Sequence, residues 1–111
     1  FQKKIIKGKE LYKYVIELSN NLNSNRNVGI VVGATNVDNL EDIDKISDKL
    51  PWLMPGIGFQ GGNLEKSISI GENNYLSLVN VSRGILYFNN GTINDIRIAA
   101  NNYTREIRDI L

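Results

Sequence analysis

The sequence predicts an α/β fold in which helices cover a parallel sheet. Three observations predict it. Segments apolar on both faces alternate with segments whose apolar residues recur at helical spacing, the connections are short, and glycine clusters where strands end. Such alternation marks strand–helix units joined by right-handed crossovers. A single domain over residues 1–111 suits the length, and 41% hydrophobic with 23% charged residues is ordinary for a globular chain.

The elements follow in order. Residues 9–22 place Leu11, Val15, Leu18 and Leu22 at helical spacing, with Lys13, Glu17 and Asn21 elsewhere on the surface, so an amphipathic helix is expected. The polar run 23–27 ends it. Val28-Gly29-Ile30-Val31-Val32 is apolar on both faces, as a buried parallel strand requires. Gly33-Ala34-Thr35-Asn36 leads into a helix capped by Thr35 or Asn36, with a stripe of Leu40, Ile43, Ile46 and Leu50, stopped by Pro51. Trp52-Leu53-Met54 is a short strand, followed by a glycine-rich loop and a helix over 63–70 with Gly71 as its C-terminal cap. Residues 75–81 form the third strand. Thr92 and Asp95 have capping-box spacing and open a helix carrying Ile96, Ala99 or Ala100, Tyr103, Ile107 and Ile110. Three strands alone would leave two open edges and one bare face, which native proteins avoid.

Composition excludes several classes of function. A net charge of +1 offers no broad attraction to nucleic acid or to an anionic membrane, so any bound anion must be held locally. The absence of cysteine and histidine removes thiol catalysis and the commonest general base and metal ligand. No apolar run approaches the roughly 20 residues that span a bilayer. The opening Phe1-Gln2-Lys3-Lys4 has neither an initiator methionine nor a signal-peptide core, and reads as a chain that starts inside something longer.

Two loops follow consecutive strands, where α/β folds bind their ligands. Pro55-Gly56-Ile57-Gly58-Phe59-Gln60-Gly61-Gly62 exposes backbone N–H groups and permits close approach. Ser82-Arg83-Gly84-Ile85-Leu86-Tyr87 turns a strand into what reads as a helical turn, where backbone N–H groups join the Arg83 guanidinium. Together they suggest a phosphate site. Gly56-x-Gly58-x-x-Gly61 also matches the dinucleotide fingerprint, but the next strand ends in Asn80-Val81-Ser82-Arg83 and lacks the acidic residue that would hold a ribose. That fold is set aside.

Val31-Val32-Gly33-Ala34-Thr35, the loop 55–62, and Asn80-Val81-Ser82-Arg83-Gly84-Ile85-Leu86-Tyr87 resemble, in order and spacing, the last three strand ends of orotidine 5'-phosphate decarboxylase, in its longer bacterial-type branch. The resemblance implies the C-terminal portion of a TIM (β/α)8 barrel of the ribulose-phosphate-binding type. Phe59 departs from the usual alanine and Asn63 from the usual aspartate. Carried over by position, Arg83 would pair with the substrate phosphate, the N–H groups of Ser82 and Arg83 would add hydrogen bonds, and Gln60 would reach the phosphate and help close the loop. Val32 and Pro55 would form apolar walls near the pyrimidine. The resemblance further implies decarboxylation of orotidine 5'-phosphate to uridine 5'-phosphate without metal or cofactor, in a cytoplasmic homodimer completed by a missing N-terminal part. The family's catalytic motif, Asp-x-Lys-x-x-Asp, is absent, so no catalytic residue is expected in this chain.

Rival classes are another phosphate-binding barrel decarboxylase, epimerase or synthase, and a non-catalytic half-barrel that dimerises over its edges. Other prominent residues have plainer assignments. Trp52 and Tyr87 are expected to pack, Tyr12, Tyr14 and Tyr103 to serve helix packing, and the lysines at 3, 4, 7, 9 and 13 to form a solvated face. Glu41-Asp42-x-Asp44-Lys45 should lie on a solvated helix face. Triplets of glycosylation type at Asn80, Asn90 and Asn102 are attributed to an asparagine-rich composition.

Overall fold

Residues 4–35, 39–48, 50–58, 63–73 and 76–111 are described by a computed structural model. Their elements run β1 (Ile5–Ile6), β2 (Lys9–Glu10), α1 (Leu11–Leu22), β3 (Ile30–Val31), α2 (Leu40–Ile46), β4 (Trp52–Pro55), α3 (Leu64–Gly71), β5 (Ser77–Asn80), α4 (Arg83–Leu86) and α5 (Ile93–Ile110). β3, β4 and β5 form one parallel sheet in that order, as the strand composition predicts. The ladder runs past the ends of β3: Ile30 N–H donates to the Pro51 carbonyl at 2.9 Å and Ala34 N–H to the Pro55 carbonyl at 3.0 Å.

Alternate side chains leave opposite faces of the sheet. On one face Val32, Trp52 and Met54 join Leu40 of α2 in the core, with Ile43, Ile70 and Val79 packed around them. Burying each large side chain contributes about 1.5–3 kcal/mol. On the other face Val31, Leu53 and Leu78 stand in one row across the three strands. They are 69%, 41% and 54% exposed, so this apolar face is open among the described residues. The outer edges of β3 and β5 likewise have no partner strand among those residues.

Several local expectations are corrected. Residues 9 and 10 are not helical; they form β2, which pairs antiparallel with β1 across the turn Lys7-Gly8, both at positive φ. In α1 the buried residue is Ile16, whereas Val15, Leu18 and Leu22 of the expected stripe are all more than half exposed. The helix meets α2 by another side, where the Asn20 amide donates to the Ile46 carbonyl at 2.8 Å.

Helix α2 starts at Leu40 after Asn39, so Thr35 is not its cap, and Asn36 lies outside the described residues. It ends at Ile46, ahead of a left-handed residue at Asp48 (φ 43°), rather than at Pro51. Leu50 is nevertheless buried, from beyond the helix. Gly71 belongs to the last turn of α3 and is not its cap. A Cβ there would stand 3.0 Å from Ser77 Oγ and 3.1 Å from Met54 Cε, so the glycine serves close packing of helix on sheet.

The capping box is present at the start of α5. Thr92 Oγ1 accepts from the Asp95 N–H at 3.2 Å, while Asp95 Oδ2 accepts from the Thr92 N–H at 3.2 Å. The Thr92 hydroxyl also donates to Asp95 and holds its carboxyl below the usual carboxylate range, outweighing the opposing effect of burial; the Thr92 backbone N–H and Asn89 amide act in the same direction. A depressed folded-state pKa adds stability above the ordinary value of 3.8, and that stability is lost as the pH falls through the folded value. Asp95→Asn should therefore be less stable than the parent at neutral pH, with the gap closing in acid. Thr92→Ala should cost about 1 kcal/mol at neutral pH. Urea midpoints read from the fluorescence of Trp52, the single tryptophan, measure both. A gap between Asp95→Asn and the parent that is equal at every pH would rule out the titration.

Candidate functional site

β4 and β5 end side by side, with Pro55 opposite Asn80. Beyond Pro55 the chain turns through Gly56 (φ 93°) and Gly58 (φ 80°), backbone conformations that side chains rarely adopt, with Ile57 buried between them. Beyond β5 it passes Val81 and Ser82 into the single turn α4. The Ser82 carbonyl anchors that turn, accepting from the N–H groups of Ile85 at 3.1 Å and Leu86 at 2.9 Å. The Asn80 amide reaches Ser82 Oγ at 3.3 Å. The N–H groups that open a helical turn have no carbonyl within that turn to bind, which is why such turns are common anion sites. Arg83 is exposed at the same end of the sheet. A guanidinium offers two parallel donors, the geometry that matches phosphate or carboxylate oxygens.

The structure thus brings Pro55, Ser82 and Arg83 to one end of two adjacent strands. Gln60 lies outside the described residues, as does the departure at Phe59. Val32 is placed differently from the expectation: its side chain is 4% exposed and packed with Leu40, Trp52 and Met54 on the helix-covered face. Strand alternation gives the open face to Val31, so Val32 is a core residue and not a ligand wall.

Trp52 packs as expected, at 1% exposure, but Tyr87 is 76% exposed because it follows the end of α4. Glu41, Asp42 and Lys45 are exposed on α2, with Asp42 3.9 Å from Lys13. Lys9 and Lys13 are paired with Glu17 and Glu10, so part of the lysine face is neutralised. Among the described residues no group of three acidic side chains is arranged to hold a metal, and no helix is long and apolar enough to cross a membrane.

One residue of this region does more than the helix packing expected of it. The ring of Tyr103, on α5, lies behind both loops. A Cβ on Gly84 would stand 2.5 Å from the Tyr103 hydroxyl oxygen, and one on Gly58 closer still. Nothing in the helical spacing of α5 sets Tyr103 apart from its half-buried neighbours. The signal is two distant glycines that only the fold brings to one oxygen.

A cleft of about 670 Å³ lies elsewhere, along the free edge of β3, lined by Leu11, Val15 and Ile16 of α1, by Val31, and by Ile43 of α2. Tyr12, Ser19, Thr35 and Asn39 add polar groups to its lining, and Pro55, Ser82 and Arg83 are not among the residues that line it.

No family model matches the chain. An orotidine 5'-phosphate decarboxylase of Haloarcula marismortui is 46% identical over 80 residues, covering 72% of this chain and 29% of that protein. Among solved structures, UMP synthase of Leishmania donovani superposes with a TM-score of 0.83 at 36% identity, over 98% of this chain and 24% of that one. OMP decarboxylase of the same organism gives 0.78 at 32% identity, over 98% of this chain and 42% of that one. The chain spans about 30% of the length of the curated relatives it matches.

Proposed function

We propose that this chain is, over the segment it spans, a member of the orotidine 5'-phosphate decarboxylase family, forms the last three strand–helix units of such a barrel and supplies its phosphate grip. The observation that carries this reading is the placement of Pro55 opposite Asn80, two residues before the Ser82-Arg83 turn, at the ends of two adjacent parallel strands. Loops after the last strands of a barrel hold phosphate in many such enzymes. Arg83 pairs with the phosphate, the Ser82 and Arg83 N–H groups add hydrogen bonds, Gln60 reaches it from the neighbouring loop, and Pro55 walls the pyrimidine.

The row Val31, Leu53 and Leu78 supports the same reading, since the inner face of a closed barrel is a packed core. The cleft beside β3 and the exposed side of α1 fit the strand and helix that precede this segment. On this reading the completed enzyme decarboxylates orotidine 5'-phosphate in the cytoplasm as a homodimer. Binding energy from the remote phosphate organises the reacting end, where groups outside this chain break the bond. The test is calorimetry on a barrel completed with the part of the relatives that these 111 residues do not span. Uridine 5'-phosphate should bind at least tenfold more tightly than uridine, and inorganic phosphate should compete with the nucleotide. Equal affinity for the two ligands would overturn the assignment.

A further inference from the structure

The phosphate grip proposed above is divided between two loops, and Tyr103 is placed where one side chain touches both. We propose that Tyr103 is a positioning residue that sets the spacing between Gly58, just after β4, and the turn α4, and so the placement of Arg83. The inference rests on the phosphate reading of that site.

Gly58 sits at φ 80°, which by itself favours glycine, and its missing Cβ leaves the space that the Tyr103 oxygen enters. Gly84 has no such backbone demand; it is helical, in the first turn of α4, immediately after Arg83. There the reason for glycine is contact: a Cβ would lie 2.5 Å from the Tyr103 oxygen, 3.3 Å from its Cζ and 3.3 Å from Val81 Cγ1. Both Gly58 and Gly84 therefore pack against one hydroxyl.

The ring is carried by an element suited to the task. α5 is the longest helix described, at 18 residues, and its first turn is held by the capping box. It packs against both α3, which follows the first loop, and α4, which carries the second. A tyrosine has only two side-chain rotors to fix, so a half-buried ring on such a helix is a stiff reference for the two connections. Supporting side chains of this kind matter because small displacements of a binding group forfeit much of its interaction.

The test compares uridine 5'-phosphate with uridine in the completed barrel, together with thermal unfolding. Tyr103→Ala should weaken the nucleotide roughly tenfold while leaving uridine within about twofold, because only the phosphate spans both loops. Gly84→Ala should produce a similar selective loss, since its methyl group meets the hydroxyl. Adding Tyr103→Phe to Gly84→Ala removes that oxygen and should restore most of the lost discrimination. This rescue keeps the proposal falsifiable even if Tyr103→Ala does not fold. A parent that prefers the nucleotide, with variants that lose both ligands equally or lose only thermal stability, would sink the role of Tyr103 alone. So would a double variant no better than Gly84→Ala. A parent without nucleotide preference would remove the phosphate reading and this inference with it.

Discussion

The 111-residue chain alone is expected to leave orotidine 5'-phosphate intact, at the background rate of the uncatalysed reaction. The sequence resemblance assigns bond breaking to an alternating lysine–aspartate array on earlier strands. There a carboxylate destabilises the departing carboxylate, and a lysine stabilises and then protonates the carbanion. This chain has no Asp-x-Lys-x-x-Asp motif, and its nearest acidic cluster, Glu41-Asp42-x-Asp44-Lys45, begins on the exposed surface of α2. Mixing the chain with the remaining part of the barrel should restore turnover by noncovalent assembly, because the surfaces to be joined are apolar and already formed. Loss of the pyrimidine substrate, followed by absorbance, measures this. Sustained turnover by the rigorously purified chain alone would show that the division of labour is wrong.

The second large effect is expected at Arg83. In a completed barrel, Arg83→Ala should weaken uridine 5'-phosphate by roughly ten- to a hundredfold, the range for losing charge-assisted hydrogen bonds, with uridine almost unaffected. Turnover efficiency should fall in step, since the phosphate's binding energy is used at the reacting end. Arg83→Lys should recover only part of the loss, because an ammonium group cannot reproduce the paired geometry of the guanidinium. Calorimetry with both ligands separates the possibilities. Equal losses for nucleotide and nucleoside would assign Arg83 to the fold instead of the phosphate.

The sheet was legible because its residues are apolar on both sides. Ile30 to Val32 alternate between a helix-covered core and a bare face, and an apolar run on both faces suits a strand covered twice. Thr92 and Asp95 were legible for a different reason: a capping box is local, and four residues suffice to specify it. Less legible were features set by single backbone dihedrals. The Lys7-Gly8 turn makes a hairpin of two-residue strands too short to show any period, and Asp48 ends α2 in a left-handed conformation that its sequence does not announce. Val32 was misplaced by one step of strand parity, which exchanges core for open face. The position of Tyr103 was out of reach, because it depends on residues 45 and 19 positions away, Gly58 and Gly84, meeting at one atom.

The open row of Val31, Leu53 and Leu78 also governs how the separated chain behaves over time. Apolar surface flanked by free strand edges is indifferent to which partner covers it, and another copy of the same sheet is as serviceable as the correct complement. Assembly into a barrel is therefore a race between two second-order encounters. At low concentration, with the complement in excess, productive pairing prevails; at high concentration of this chain alone, self-association does. The shelf life of a purified sample should accordingly shorten as it is concentrated, and a complement supplied during synthesis should be worth more than the same amount added later.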